Sequence, residues 1–465
     1  MKNLLCIILF MLISTSIFAQ DITGQWNGVL DVMGTQLRLV FHIEQTDSGY
    51  TATFDSPDQG AEGIPFSLVS YDEPDLKLEA ANIGATYTGT VSIDSISGTW
   101  NQGGQSFPLN LFKKEVEKIE HDRPQEPSRP YPYHEEEVFV QNEKDGLILA
   151  GTLTIPEKSG IFPAVILISG SGPQNRDQEI FGHRPFLILA DHLTRQDIAV
   201  LRYDDRGTAK STGNFTTATT ADFATDVLSA VKFLKTRSEI DTSNIGLIGH
   251  SEGAIIAPLA ANQSDDITFV VLLAGTGIPG KEVSLRQAQT LQELRPSNNS
   301  DEELFQRFNE RIIEIAASDK KIAEKKEELI QYFEDAEPIL QTMLPEGANI
   351  NAFVSQLVNS ILSPWMQYFY NYNPSDELEK VTIPVLSLNG SNDVQVNAKI
   401  NQTAIKEALE KAGNKNYKVI EMAGLNHMFQ ESETGSISEY SKIVQTFSPL
   451  ALRKITKWIK NHIKR

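Results

Sequence analysis

The sequence predicts an α/β fold: a mostly parallel sheet flanked by helices, broken by a helical insertion and preceded by a small all-β domain. Three observations predict it. From residue 136 on, continuous apolar runs such as Ala164–Ile168 and Thr268–Leu273 alternate with amphipathic runs such as Ala221–Lys235, the pattern of buried parallel strands wrapped by helices. Residues 21–114 instead alternate by twos between Gly, Pro, Asn and Asp turns, the pattern of short half-buried strands. At about 276–380 the sheet rhythm gives way to charged helical sequence, far longer than the usual connection of about 2–6 residues.

The first 20 residues stand apart. Lys2, the apolar run from Leu4 to Ile13 and the small residues around Ser16–Ala19 read as a secretory signal peptide cut after Ala19 or Gln20. A membrane anchor is the competing reading, but the apolar run is short for a span and lacks a stop-transfer flank. The mature chain is therefore expected to be exported, periplasmic or extracellular, with no stable membrane insertion. Its only cysteine, Cys6, lies in the leader, so no disulfide and no thiol chemistry is expected after export.

Length and composition bound the rest. A chain of 465 residues, 40% hydrophobic and 22% charged, fits two or three soluble domains. Its net charge of −20, made more negative by loss of Lys2, argues against nucleic acid and anionic membrane as partners. The oligomeric state is not set by these features.

In the all-β domain, strands are expected at Leu37–Ile43, Tyr50–Phe54, Leu76–Ala80, Ala85–Val91 and Phe107–Phe112, giving a small sandwich or barrel. Ile22–Trp26 and Ile96–Trp100 echo one another and read as a closing strand pair. Asp55, Asp58 and Glu62 cluster at a Pro/Gly turn and read as a solvated loop rather than a metal site. Residues 115–135, with Pro124, Pro127, Pro130 and Pro132, form an extended linker.

Residues 136–465 begin with an antiparallel pair, Val138–Val140 and Leu147–Ile155, turned at Asp145–Gly146. The strand Ala164–Ile168 runs into the Gly-rich stretch Ser169–Pro173, and a helix follows over Phe186–Leu193. Ala199–Arg202 leads into Tyr203–Gly207, whose charged residues are expected to brace the neighbouring loop; Arg176 and Asp177 read as a pair doing the same. The insertion is expected to cap the site, and near its end Trp365, Tyr368 and Phe369 either line a substrate pocket or fill the cap's own core, different rings serving each. The sheet resumes at Pro384–Leu388 and Tyr417–Glu421, with helices at Asn401–Lys411 and Leu450–Lys460.

The chemistry centres on Gly249–Gly253, which fits G-x-S-x-G between the strand-like Ile245–Ile248 and the helix-prone Ala254–Ala257. A serine at such a turn is pushed out of the sheet, and the flanking positions crowd the turn so that glycine fits there. A serine hydroxyl needs a base in hydrogen-bond reach and a third group to orient that base. On a parallel sheet these come from the carboxyl ends of strands. Asp393 and His427 both follow strands, ahead of Asp376 and Glu421 as acids and ahead of the other histidines as base. Of the eight histidines, His42, His121, His134, His192 and His462 fall outside the sheet loops, His250 points elsewhere in the turn, and His183 could border the site but comes too early in the chain. Donors for a developing oxyanion are expected from the backbone N–H of Glu252 and of Ser171.

The stretches Ser169–Asp177, Arg202–Gly207 with Ser211–Gly213, Gly249–Gly253, Asn389–Asp393 and Asn426-His427 together resemble an α/β-hydrolase of the EstD-type esterase group, which overlaps families labelled serine aminopeptidase or S9-like peptidase. The resemblance covers Val138 to the C-terminus and, more loosely, the β domain and linker. It implies the α/β-hydrolase fold, with Ser251, Asp393 and His427 as nucleophile, acid and base and with Ser171 and Glu252 in the oxyanion roles. One departure is Ser169, where many α/β-hydrolases have histidine before the glycine; backbone donors do not need that side chain. The expected function is cleavage of small carboxylic esters through an acyl-enzyme, with no metal and no organic cofactor. A peptidase on the same fold is the first alternative. A ligand-binding protein, with the β domain holding the ligand, is the second.

Overall fold

The computed structural model describes residues 21–32, 35–47, 49–59, 61–102, 105–115, 123–157, 159–293, 299–337, 340 and 350–463. The expected leader, residues 1–20, lies outside them. No described helix is long and apolar enough to cross a membrane. The chain forms two compact units, the first holding the strands that precede Lys118 and the second the chain from Ile119 on.

The first unit is one sheet built from β1 (Gly24–Val32), β2 (Thr35–Thr46), β3 (Gly49–Ser56), β4 (Ala61–Pro65), β5 (Leu68–Asp72), β6 (Asp75–Ala80), β7 (Ala85–Val91), β8 (Ser95–Gln102), β9 (Gln105–Pro108) and β10 (Leu111–Phe112). Its order is β4-β3-β2-β1-β10-β8-β7-β6-β5, with β9 beside β8. Alternation by twos turns every second residue inward. Phe41, Phe54, Phe66, Tyr87 and Trp100 meet there tilted or edge-to-face, with ring centroids 5.1–6.0 Å apart.

Two expectations for this unit change. Phe107–Phe112 is not one strand: Pro108 has no N–H to continue the ladder, so β9 ends there and β10 starts afresh at Leu111. The two echoing stretches are not paired either. β10 lies between them, with Leu111 opposite Gly28 of β1 on one side and Ile96 of β8 on the other. The acidic turn is held by side chains of β2: Arg38 Nη2 donates to Asp58 Oδ1 at 2.7 Å, and His42 Nε2 meets Asp55 Oδ2 at 2.8 Å.

The second unit contains β11 (Tyr133–Asn142), β12 (Leu147–Pro156), β13 (Phe162–Ile168), α1 (Pro185–Thr194), β14 (Ala199–Tyr203), α2 (Thr220–Leu234), β15 (Ile240–His250), α3 (Gly253–Ala261) and β16 (Ile267–Leu273). It then leaves the sheet for α4 (Gly280–Glu293), α5 (Asn299–Ala316), α6 (Ile322–Asp335), α7 (Ile350–Ile361), α8 (Pro364–Asn371) and α9 (Pro374–Leu378). It returns with β17 (Val385–Gly390), α10 (Ala398–Lys411), β18 (Tyr417–Met422) and α11 (Pro449–His462). The sheet order is β11-β12-β14-β13-β15-β16-β17-β18, antiparallel over its first three strands and parallel from β14 on.

Strand periodicity splits the apolar residues between two cores. Ala164, Ile166 and Ile168 of β13 face one side with α2 and α3, while Val165 and Leu167 face the other with α1 and α11. The chain steps from β13 to β14 on one side and then to β15 on the other. That reversal puts the loops leaving β13 and β15 next to each other at the carboxyl edge, where a crevice forms in open α/β sheets. The inserted helices have an apolar core of their own, including Phe308, Leu329, Phe333, Val358 and Tyr370. The two ends of the insertion are tied together, with the Gly280 N–H donating to Tyr372 O at 3.0 Å and Ser375 Oγ to Gly277 O at 2.7 Å.

Just before β11 the chain lies against this unit. Arg123 donates to the carbonyls of Phe181, Gly182, Ser441 and Ile443 at 2.6–3.2 Å, and the Gln125 amide bonds Phe447 O at 2.7 Å and the Thr446 N–H at 2.6 Å. This stretch thus straps the α1 approach to the loop that follows β18.

Candidate active site

Ser251 occupies the turn between β15 and α3 with a φ of +53°, the left-handed region that an L side chain rarely adopts. The turn is crowded on both sides. A Cβ at Gly249 would stand 1.9 Å from the Gly253 carbonyl oxygen, and one at Gly253 would stand 2.1 Å from the Ile168 carbonyl oxygen. The Ser251 N–H donates to Leu273 O at 2.8 Å, which anchors the turn to the end of β16. The loop leaving β13 comes close: a Cβ on Gly170 would lie 3.2 Å from Ser251 Cβ.

Asp393 follows β17 and His427 follows β18, on neighbouring strands. Asp393 Oδ2 meets His427 Nδ1 at 2.8 Å, and both side chains are buried. Asp393 Oδ1 accepts the backbone N–H groups of Gln395 at 2.9 Å and Val396 at 2.8 Å, so the carboxylate is fixed by its own loop. The His427 loop is closed by Asn426, whose Oδ1 accepts from Met428 N at 3.0 Å and Gln430 N at 2.9 Å. With Nδ1 taken by Asp393, Nε2 is the ring nitrogen of His427 left for another partner.

His250 does not point away from this cluster. Its ring centroid lies 4.9 Å from that of His427, and its Nε2 meets the His427 carbonyl oxygen at 2.9 Å. The carbonyl can only accept, so Nε2 carries the hydrogen. Burial, and next the neighbouring His427, push the His250 pKa down to about 3, so this ring is neutral.

Ser171 is exposed on the Gly-rich loop. Glu252 is buried, and its carboxyl accepts from Thr220 Oγ1 at 2.7 Å, from Trp365 Nε1 at 2.6 Å and from the Ser171 hydroxyl. Burial pushes the Glu252 pKa up. Asp205, which follows β14, is pushed up to about 8, first by burial and then also by the facing Glu252 and Asp226. It is held by Ser169 Oγ at 2.7 Å and the Gln174 N–H at 2.9 Å. The cavity lined by Asp205, Glu252 and the Gly-rich loop is about 10 Å³, room for one water and not for a substrate.

The aromatic run of α8 divides by face. Trp365 reaches Glu252 and stacks on Phe369 at 5.3 Å, Tyr368 stacks on Tyr372 at 5.3 Å, and all three candidate rings are half-buried. Tyr370 turns the other way, into the core of the inserted helices.

Arg176 and Asp177 do not pair with each other. Arg176 Nη2 binds Asp204 Oδ2 at 2.7 Å, and Asp177 Oδ1 accepts from Arg202 Nε at 2.7 Å, so the pairs run across to β14 and its exit. His183 is buried, bonded to Thr446 Oγ1 at 2.9 Å and Tyr440 O at 2.8 Å, and serves the packing of that loop. Four groups at the site escape sequence reasoning: Gln178, the His250 ring, the Asp205 carboxyl and the Glu252 side chain, which was singled out for its backbone alone. Only the phrase Asp204–Gly207, already marked as a brace, signalled any of them.

Over 362 residues the chain is 30% identical to Esterase EstD of Thermotoga maritima, a match that spans 77% of this chain and 75% of that one. The chain belongs to the EstD esterase family. It is a serine hydrolase of the α/β-hydrolase fold with an N-terminal antiparallel β domain. Residues 185–328 also match the family described as serine aminopeptidase, S33, a span that includes Ser251 and ends before Asp393. Among solved structures, the chain is similar to the esterase Pf2001 of Pyrococcus furiosus, at 17% identity over 71% of this chain and 91% of that one with a TM-score of 0.43. It is similar to Est1E of Butyrivibrio proteoclasticus at 18% identity, over 70% and 96% of the two chains, with a TM-score of 0.40. Ser169 has a use of its own in this chain, since its hydroxyl holds the buried Asp205.

Proposed function

We propose that this chain is an exported carboxylesterase that works through an acyl-enzyme on Ser251, with His427 as general base and Asp393 as the acid that orients it. The observation that carries the reading is the 2.8 Å Asp393–His427 hydrogen bond at the exits of adjacent strands, beside the strained turn of Ser251. Asp393 fixes the His427 tautomer with its hydrogen on Nδ1, which leaves Nε2 free to take the Ser251 proton. Ser251 Oγ then attacks the ester carbonyl, and the developing oxyanion is held by the backbone N–H groups of Glu252 and Ser171. His427 returns the proton to the leaving alcohol, and water, activated the same way, releases the acid. The helices at about 276–380 act as a cap, with Trp365, Tyr368 and Phe369 bordering the substrate. The bond from Trp365 to Glu252 supports this, because it ties α8 to the residue after the nucleophile.

The EstD relative favours an ester as substrate. The match to a serine aminopeptidase family keeps an amide as the second reading. Both are tested by running short-chain p-nitrophenyl esters beside aminoacyl and prolyl p-nitroanilides. The expected result is ester turnover well above amide turnover, lost by at least about three orders of magnitude in Ser251→Ala. Amide turnover equal to ester turnover would favour the peptidase, and a Ser251→Ala variant within tenfold of wild type would remove Ser251 as nucleophile. Export is tested by N-terminal sequencing of the mature protein, expected to begin at Gln20 or Asp21; a mature chain that keeps Met1 would count against it.

A further inference from the structure

We propose that Gln178 and His250 are positioning residues that fix the Ser169–Pro173 loop and the His427 backbone to the two sides of the Ser251 turn. The proposal rests on the roles given above to Ser251 and His427.

Three bonds run in series. The Gly170 N–H donates to Gln178 Oε1 at 3.1 Å, Gln178 Nε2 meets His250 Nδ1 at 2.9 Å, and His250 Nε2 meets the His427 carbonyl at 2.9 Å. One hydrogen placement satisfies all of them. The carbonyl of His427 accepts from His250 Nε2–H, so Nδ1 is bare and accepts from the Gln178 amide N–H. That choice turns Gln178 Oε1 toward the Gly170 N–H. Every side-chain link is buried, with Gln178 4% and His250 5% exposed, so water does not replace a broken link cheaply. The neutrality of His250 agrees with this placement, because a second ring hydrogen would face the Gln178 amide hydrogens.

Gln178 itself carries a cost that its side chain explains. Its φ is +50°, a region where a long side chain is disfavoured and where glycine or asparagine is the usual occupant. Neither of those reaches from Gly170 to His250. The strained backbone aims this one amide between the loop and the ring.

The consequence is geometric. His250 directly precedes Ser251, so displacement of its ring displaces the nucleophile. Gly170 precedes Ser171, so the same amide sets the distance between the proposed oxyanion donor and the serine. Donors of that kind act only within about 2.7–3.1 Å of the oxyanion, and a misplacement of about 1 Å costs on the order of a hundredfold.

The test is kcat and KM on a p-nitrophenyl ester for His250→Leu, His250→Gln and Gln178→Met, with melting curves for each and with wild type and Ser251→Ala as references. His250→Leu and Gln178→Met are expected to lower kcat by about ten- to a hundredfold with KM within about threefold. His250→Gln places an amide nitrogen where the ring Nε2 was, keeps the bond to the His427 carbonyl and is expected to recover most of kcat. Both His250 variants remove the ring acceptor of Gln178, so a packing role alone would affect them equally. Equal kcat in the two His250 variants, or wild-type kcat in Gln178→Met, overturns the proposal. If His250→Leu does not fold, Gln178→Met decides by itself. A Ser251→Ala variant that keeps activity overturns the site reading and this proposal together, whereas an inactive Ser251→Ala beside unaffected Gln178 and His250 variants overturns this proposal alone.

Discussion

Asp393 and His427 are held by neighbours in sequence, while the Ser251 turn and the loop of Gly170 are held by residues far away. Asp393 is fixed by N–H groups two and three residues on, and the His427 loop by an asparagine one residue before it. On the other side, Glu252 is bound by Trp365 at a sequence separation of 113, Gln178 by His250 at 72 and His250 by His427 at 177. The contrast extends to charge. The Asp393 side has a carboxylate with a histidine partner, and the Ser251 side has two buried carboxyls, Asp205 and Glu252, held by the neutral donors Ser169, Gln174, Thr220 and Trp365. Local bonds hold the Asp393 carboxylate and the Asn426 turn, whereas the Ser251 side, with its tie to the His427 carbonyl, depends on distant elements that must all be in place.

Variants on the two sides are therefore expected to differ in kind. The largest effect belongs to Asp393→Asn, which keeps the shape but favours the wrong His427 tautomer. Ester turnover should fall by about 10³–10⁴-fold while the melting temperature moves little, and a loss under tenfold would break the local half of the comparison. Trp365→Phe comes next. It removes one donor from a buried carboxyl that keeps Thr220 and Ser171, at a cost of about 1 kcal/mol in stability, and it should raise KM more than it lowers kcat because α8 is loosened. An unchanged melting curve and KM would show that the long-range tie holds nothing.

The smallest effect on turnover belongs to Asp205→Asn, whose readout is stability against pH. Folded Asp205 keeps its proton up to about pH 8, while the unfolded chain releases it near the ordinary carboxyl value of about 4. Between those values the folded state binds the extra proton, so stability is full below about pH 4, falls as the pH rises and levels off above about pH 8. Denaturation of Asp205→Asn across that window should show a shallower fall than wild type. Identical slopes would mean that this carboxyl is not buried with its proton.

The same contrast explains what the sequence disclosed. Ser251 was legible because a crowded turn demands glycine at both flanks, and that demand is written within five residues. Asp393 and His427 were legible because strand exits follow from apolar runs, and adjacent parallel strands bring their exits together. The sheet and its helices were legible for the same reason of period. Gln178 and the Glu252 carboxyl were not, since each is one polar residue whose partner lies on another element and leaves no periodic trace; Asp205 was legible only as part of a charged brace. The Arg176 and Asp177 pairing failed on the same ground: charges adjacent in sequence were joined, although both reach across to β14 and its exit. In the first unit, Pro108 was visible but its effect on the ladder was not, so β10 was hidden between two strands that only resemble a pair.

Labelling with a fluorophosphonate followed by peptide mapping tests whether Ser251 is the activated serine without requiring the natural substrate. A single adduct on Ser251 is expected in wild type, slowed by orders of magnitude in His427→Ala and in Asp393→Asn. An adduct on another serine, or labelling of Ser251 at the wild-type rate in His427→Ala, would contradict it.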